Sequence, residues 1–302
     1  MKKIPMNYHE YRKYALSHTP EELPKFDAAE KGCQYPDLEY EEMFHNKLDL
    51  YLPEEKKDNA PLLIYIHGGA FTLGTKRCTT RPLVMRKYGY AIAMVEYTKA
   101  VEEGFPLQIR QVKQAIAFLR KHAGEYGYDP EKFAVYGESA GGNLAALAAA
   151  TGNEELFGLP SEYDYQVQAA VIDFAPINFA AIERESEMLG RTELEDLLSP
   201  QYYSSLYLGG FMQEQPELVP PTNPETYLTE KCPPFYIQHG MEHMLPYLQA
   251  VHFAQMIKEK TKDENVFLSL LPGVGGGDDP RYFTGENTLK KAAFLNSVFD
   301  IR

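Results

Sequence analysis

Three observations in this 302-residue sequence predict an α/β fold with a central, mostly parallel sheet. Short apolar runs end in glycine or proline. Stretches with helical periodicity fill the gaps between them. The two kinds of segment alternate along most of the chain, as strand–helix–strand units do when helices cover both faces of a sheet.

The elements follow in chain order. Residues 38–52 come first, where Leu48, Leu50 and Leu52 alternate with other side chains. That period of two predicts antiparallel strands at a sheet edge. Continuous apolar runs then occupy residues 62–66, 90–97, 133–136, 167–174, 234–238 and 266–271. Runs this short, closed by His67-Gly68-Gly69, Gly137, Ala175-Pro176 or Pro272-Gly273, are expected to be strands buried on both faces. Between them, residues 107–122 place Ile109, Val112, Ile116 and Leu119 at helical spacing. Residues 140–150 are rich in alanine and leucine, and residues 247–260 and 288–299 complete the predicted helices. Residues 178–231 break the rhythm with many Glu, Tyr and Pro residues. An insertion of that length between strands is expected to be functional, here as a lid-like cover over the strand ends. Its aromatic cluster, Tyr202, Tyr203, Tyr207 and Phe211, either lines a pocket or forms the insertion's own small core.

Composition narrows the function. A net charge of −13 disfavours nucleic acid and anionic membranes, which demand basic patches. No segment approaches the roughly 20 apolar residues that span a bilayer. Cys33, Cys78 and Cys232 show neither paired nor metal-ligand spacing, which reads as reduced thiols. The expected setting is therefore soluble and cytoplasmic, in one domain over residues 1–302. Nucleotide and zinc chemistry have no support, since GxxxxGK[ST], a strand-borne GxGxxG and HExxH are all missing. Homo-oligomerisation stays open.

Two motifs carry chemistry. Gly137-Glu138-Ser139-Ala140-Gly141 follows an apolar strand and opens an alanine-rich helix. Such a strand-to-helix turn strains the serine backbone and stands its hydroxyl at the sheet end, beside a helix N-terminus. The bland alternative is a Gly-Ser turn of no consequence. Upstream, His67-Gly68-Gly69-Ala70 follows another strand. Small residues there let backbone N–H groups approach a developing oxyanion. Gly69, Ala70 and Ala140 are the expected donors.

With Phe105-Pro106, Tyr128-Asp129-Pro130, Gly142-Asn143 and Pro233-Pro234-Phe235 in the same order, the chain resembles α/β-hydrolase-fold esterases of the hormone-sensitive-lipase and feruloyl/acetyl-esterase-like group, from about Leu38 to the C-terminus. The resemblance implies hydrolysis of small carboxylic esters through an acyl-enzyme on Ser139, without metal or organic cofactor. It also implies that His67 braces its loop, that Asp173 accepts backbone N–H bonds, and that Glu138 bonds neighbouring loops. The pattern fails at two places. Where the group keeps its acid, this chain reads His239-Gly240-Met241-Glu242-His243-Met244-Leu245-Pro246, which sets His243 or Glu242 at that position. Where the group keeps its histidine, Pro272-Gly273-Val274-Gly275-Gly276-Gly277-Asp278-Asp279 sets Gly276. His252, inside a predicted helix, is expected to be a surface or packing residue. Two readings remain. His243 is a relocated base, oriented by Glu242, Asp278 or Asp279. Alternatively, the scaffold is a catalytically inactive ligand-binding member of the fold.

Overall fold

The computed structural model describes residues 7–18, 25–191, 200–261 and 265–301; the side chains of residues 18 and 200–203 lie outside that description. Eight strands form one sheet: β1 (Tyr35–Glu41), β2 (Asn46–Tyr51), β3 (Ala60–Ile66), β4 (Ala91–Val95), β5 (Tyr128–Glu138), β6 (Ala169–Asp173), β7 (Phe235–Gly240) and β8 (Val266–Leu271). Their spatial order is β1-β2-β4-β3-β5-β6-β7-β8. The first two strands run antiparallel to each other and to β4, and all remaining pairs are parallel.

The helices are α1 (Tyr8–His18), α2 (Leu107–Lys121), α3 (Ala123–Tyr126), α4 (Ala140–Thr151), α5 (Ile182–Met188), α6 (Pro200–Leu208), α7 (Leu248–Thr261) and α8 (Gly285–Val298). A core lies on each face of the sheet. One packs α1, α2, α4 and α7 against it, and the other packs the 3-10 helix Arg81–Tyr88 and α8. The stripe Ile109, Val112, Ile116 and Leu119 of α2 is fully buried, as its period requires. Every residue of α4 is buried, which suits a helix apolar all round.

The predicted strands are present, with one correction. Strands β3 and β4 are buried at every residue, whereas β8 is only partly covered and leaves Phe267 46% exposed. It is the outer strand, bonded on one side to β7 only, so its apolar run reports one covered face.

The parallel register aligns the C-terminal strand ends. Ile66 sits opposite Gly137, Glu138 opposite Asp173, and Asp173 opposite Gln238. The loops after β3, β5, β6 and β7 therefore open at one edge, where open α/β sheets bind ligands. Among the described residues, no helix is long and apolar enough to cross a membrane.

Candidate active site

Ser139 sits between the last residue of β5 and the first of α4, at φ 51° and ψ −121°. This is strained ground for a residue with a Cβ. Two close approaches hold it there. A Cβ on Gly137 would overlap the Gly141 carbonyl, and one on Gly141 would overlap the Ile66 carbonyl. Strand and helix are thus locked together around the serine. Its N–H donates to Asp173 O at 2.9 Å, tying the bend to the end of β6.

The loop after β3 lies against this bend. A Cβ on Gly68 would stand 3.2 Å from Ser139 Cβ. The next residues turn through positive φ, Gly69 at 112°, Ala70 at 51° and Phe71 at 64°. The turn is closed by N–H groups of Thr72 and Leu73 donating to Gly69 O. The N–H groups of Gly69, Ala70 and Ala140 have no hydrogen-bond partner among the described residues. Donors left free at a strained loop and a helix start are chemically suited to an anion.

His67 anchors that loop from beneath. Fully buried, it bonds Gly68 O through Nδ1 at 2.7 Å and Glu96 Oε1 through Nε2 at 3.1 Å, and its ring stacks on Tyr97 at 4.3 Å. Burial and the Lys99 charge hold its pKa below the ordinary value. It braces the loop.

Ser139, the cradle and His243 line one cavity of about 380 Å³. The insertion adds Phe179, Ile182 and Ser204 to its wall. Tyr207 does not line it. Its ring stacks on Phe71 at 3.7 Å, while Phe211 packs on Tyr11 of α1 at 5.4 Å, so these two rings pin the insertion to the loop after β3 and to α1. The side chains of Tyr202 and Tyr203 are outside the described set.

His243 is 5% exposed, and its Nδ1 accepts the Leu245 N–H at 3.1 Å. A neutral ring bonded that way carries its proton on Nε2. Burial first, then the Arg191 charge, pulls its pKa down to about 4, so the ring is neutral near pH 7. Arg191 donates to the carbonyls of Met241 and His243. No hydrogen bond joins Ser139 Oγ to an imidazole among the described residues. Glu242 is exposed and outside the cavity wall, with its main-chain N–H bonded to Val274 O. The structure therefore brings together Ser139, Gly69, Ala70, Ala140 and His243, and leaves Glu242 apart.

The glycine loop also differs from expectation. Gly276 is exposed, and Gly277 lines the cavity. A Cβ on Gly277 would lie 3.0 Å from the Phe174 ring and 3.8 Å from His243 Nε2. The position facing Ser139's cavity is one residue later than counting along the motif suggested.

Asp173 requires a second correction. Its carboxylate accepts from Tyr136 OH at 2.8 Å and from Lys291 Nζ at 2.5 Å, not from backbone N–H groups. Lys291 reaches it from α8, a segment too distant in sequence for the strand-end motif to signal. Its spacing with Thr288, Ala292 and Leu295 on the buried face of α8 was the available clue. Glu138 does bond a neighbouring loop: Arg81 Nη2 donates to both its oxygens at 2.9 Å, and Arg81 Nη1 donates to Gly277 O. Burial pushes the Glu138 carboxyl up in pKa while Arg81 opposes it. His252 is half exposed on α7, its Nδ1 2.7 Å from Glu185 Oε1.

A mostly parallel sheet, a strained serine bend at a strand end and main-chain N–H groups left unbonded beside it are the features of an α/β-hydrolase. The chain belongs to the BD-FAE family, whose model matches residues 48–257. It is 32% identical over 221 residues to a probable carboxylic ester hydrolase, LipM, of Mycobacterium tuberculosis, covering 70% of this chain and 48% of LipM. With the esterase LipC of the same organism it shares 29% identity over 252 residues, covering 79% and 59%. The chain spans about half the length of the curated relatives it matches. Among solved structures, a truncated carbohydrate esterase from gut microbiota superposes with a TM-score of 0.75 at 24% identity, covering 87% of this chain and 95% of that one. The thermophilic esterase Est2 of Thermogutta terrifontis does so with a TM-score of 0.64 at 22% identity, covering 86% and 89%. Those two likenesses bear on the fold alone.

Proposed function

We propose that this protein hydrolyses small carboxylic esters through an acyl-enzyme on Ser139, with N–H groups of Gly69, Ala70 and Ala140 holding the oxyanion. The observation that carries the reading is the strained Ser139 facing a cavity where those three N–H groups are free. Serine Oγ bonds the ester carbonyl carbon, the acyl C–O bond breaks, and the serine proton leaves with the alcohol. Water then adds to the acyl carbon, returns a proton to Ser139 and releases the acid. In this reading residues 1–302 form one α/β-hydrolase domain, and residues 178–231 act as a partial lid; Phe179, Ile182 and Ser204 in the cavity wall support the latter.

The base is the weak part of the machinery. His243 is the one imidazole in the cavity wall, but to accept the serine proton on Nε2 it must surrender its bond with Leu245 N–H. Turnover is therefore slow. Loss of a triad member costs on the order of 10⁴–10⁶ in kcat, with oxyanion donors leaving a residual rate. The test is the mass of the protein after exposure to p-nitrophenyl butyrate. One butyryl group should appear on the wild-type chain and none on Ser139→Ala; labelling that survives in Ser139→Ala refutes the assignment. An unchanged acylation rate in His243→Ala removes His243 as base.

A further inference from the structure

Residues 176–185 stand between two cavities. Pro176, Phe179 and Ile182 line the one that holds Ser139. Ile177, Asn178, Ala181 and Glu185 line a second, of about 190 Å³, which α7 closes from behind with Gln249, His252 and Met256. Side chains three and four apart share a face of a helical segment, so each face of this stretch serves a different cavity. The rear face is fastened to α7 by one side chain. Gln249 Oε1 accepts the N–H groups of Ile177 and Asn178 at 2.8 Å each, and Gln249 Nε2 donates to Glu185 Oε2 at 2.6 Å. A single amide thus ties the start of the stretch to its end. Glu185 and Gln249 are both almost fully buried, and the other Glu185 oxygen meets His252 Nδ1 at 2.7 Å. Asn178 Nδ2 adds a bond to Glu225 Oε1 at 2.6 Å. Groups this buried are costly to leave unpaired, so these bonds set where the backbone runs.

We propose that Gln249, which does not line the Ser139 cavity, is a positioning residue that limits the length of the acyl group accepted there; the inference rests on reading that cavity as the ester site. Gln249 holds the stretch in register from behind, and Phe179 and Ile182 stand forward as the wall in consequence. The front of the wall is occupied by rings, with Phe179 at 6.1 Å from Phe71 and 6.0 Å from Tyr207. The space behind it is the second cavity. Without Gln249 two main-chain N–H groups and a buried carboxylate oxygen lose their partner, and room for the backbone to move lies toward α7. Phe179 and Ile182 then draw back, and the Ser139 cavity deepens enough for a longer apolar chain.

The experiment offers the full chain an equimolar mixture of p-nitrophenyl butyrate and p-nitrophenyl octanoate and reads, at early times, the ratio of octanoyl to butyryl adduct by protein mass. Both adducts form on the same folded molecules, so the ratio does not depend on how much of a variant is folded. Gln249→Ala should raise it about tenfold. An unchanged ratio, with less of both adducts, means a purely structural role and overturns the proposal. Gln249→Glu sets a second carboxylate against Glu185 and should raise the ratio as well. Adding Glu185→Gln gives every bond a donor and an acceptor again, with the two side chains exchanging roles, and should return the ratio to within about twofold of wild type. A double variant no closer to wild type than Gln249→Glu alone overturns the proposal. Hydrogen exchange at the amides of residues 177–185 needs no ester and is expected to quicken in Gln249→Ala. If the wild-type chain takes up neither acyl group, the hydrolase reading falls, and exchange still tests the wall: rates unchanged in Gln249→Ala overturn the positioning role.

Discussion

Ser139 and His243 show how differently two residues of one cavity are determined. Ser139 owes its position to neighbours within a few residues, because Gly137 and Gly141 allow strand and helix to close on it. The motif alone therefore located it. His243 owes its state to how its loop packs: Leu245, two residues on, folds back to take its Nδ1, the distant Arg191 lies near, and burial removes its water. Its pKa of about 4, against an ordinary 6.5, has a consequence for stability. As pH falls through 6.5 the unfolded chain takes up a proton that the folded chain refuses until about pH 4. Stability contributed by the neutral ring is present above pH 6.5 and declines between 6.5 and about 4, by about 3 kcal/mol at most. His239, held down to about 3 by burial and by its neighbour His243, acts in the same direction. Urea unfolding across that pH range should show a shallower pH slope in His243→Gln than in wild type. Identical slopes would mean that the folded ring titrates normally.

At the scale of elements, the loops after β7 and β8 decide what chemistry is possible. Counting along the glycine loop pointed to Gly276, yet its Cβ would overlap Asp278 Oδ1 in solvent, and Gly277 faces the cavity. A loop of consecutive glycines carries no periodicity, so its register emerges only when it packs against Phe174 and Arg81. Gly277→His combined with His243→Asp is expected to raise the rate of p-nitrophenyl butyrate hydrolysis by about 100-fold or more, the usual scale of general base catalysis. Gly276→His with the same partner should gain far less. A reversed order in steady-state kinetics would restore the register counted from the motif. The new side chain must displace the Phe174 ring, 3.0 Å from its Cβ, by a few tenths of an ångström.

Across the whole molecule, charge is buried between elements far apart in sequence. Lys291 of α8 joins Asp173 at the end of β6, and its Nζ also donates to Tyr136 OH and Tyr282 O at 2.9 Å. Both partners are almost fully buried, so neither tolerates loss of the other. Lys291→Met should cost about 3–5 kcal/mol in denaturant unfolding by stranding the Asp173 carboxylate, and adding Asp173→Asn should recover most of that loss. If the double variant is as unstable as the single one, packing by the lysine stem is responsible instead of charge. The network also carries the bend, because Asp173 O accepts the Ser139 N–H. Arg81 makes a second such link, from the 3-10 helix after β3 to Glu138 and Gly277.

By itself the sequence determined what short-range physics encodes: the strands and helices, whose periods of two and 3.6 follow from which face is buried, and the serine bend with its glycine-lined loop. The edge exposure of β8, the partners of Asp173, the glycine that faces the cavity and the donor polarity of His243 were decided by tertiary structure. The first three depend on groups dozens or hundreds of residues away, and the last on how the loop folds Leu245 back over the ring two residues before it; neither local spacing nor composition records which of these groups meet.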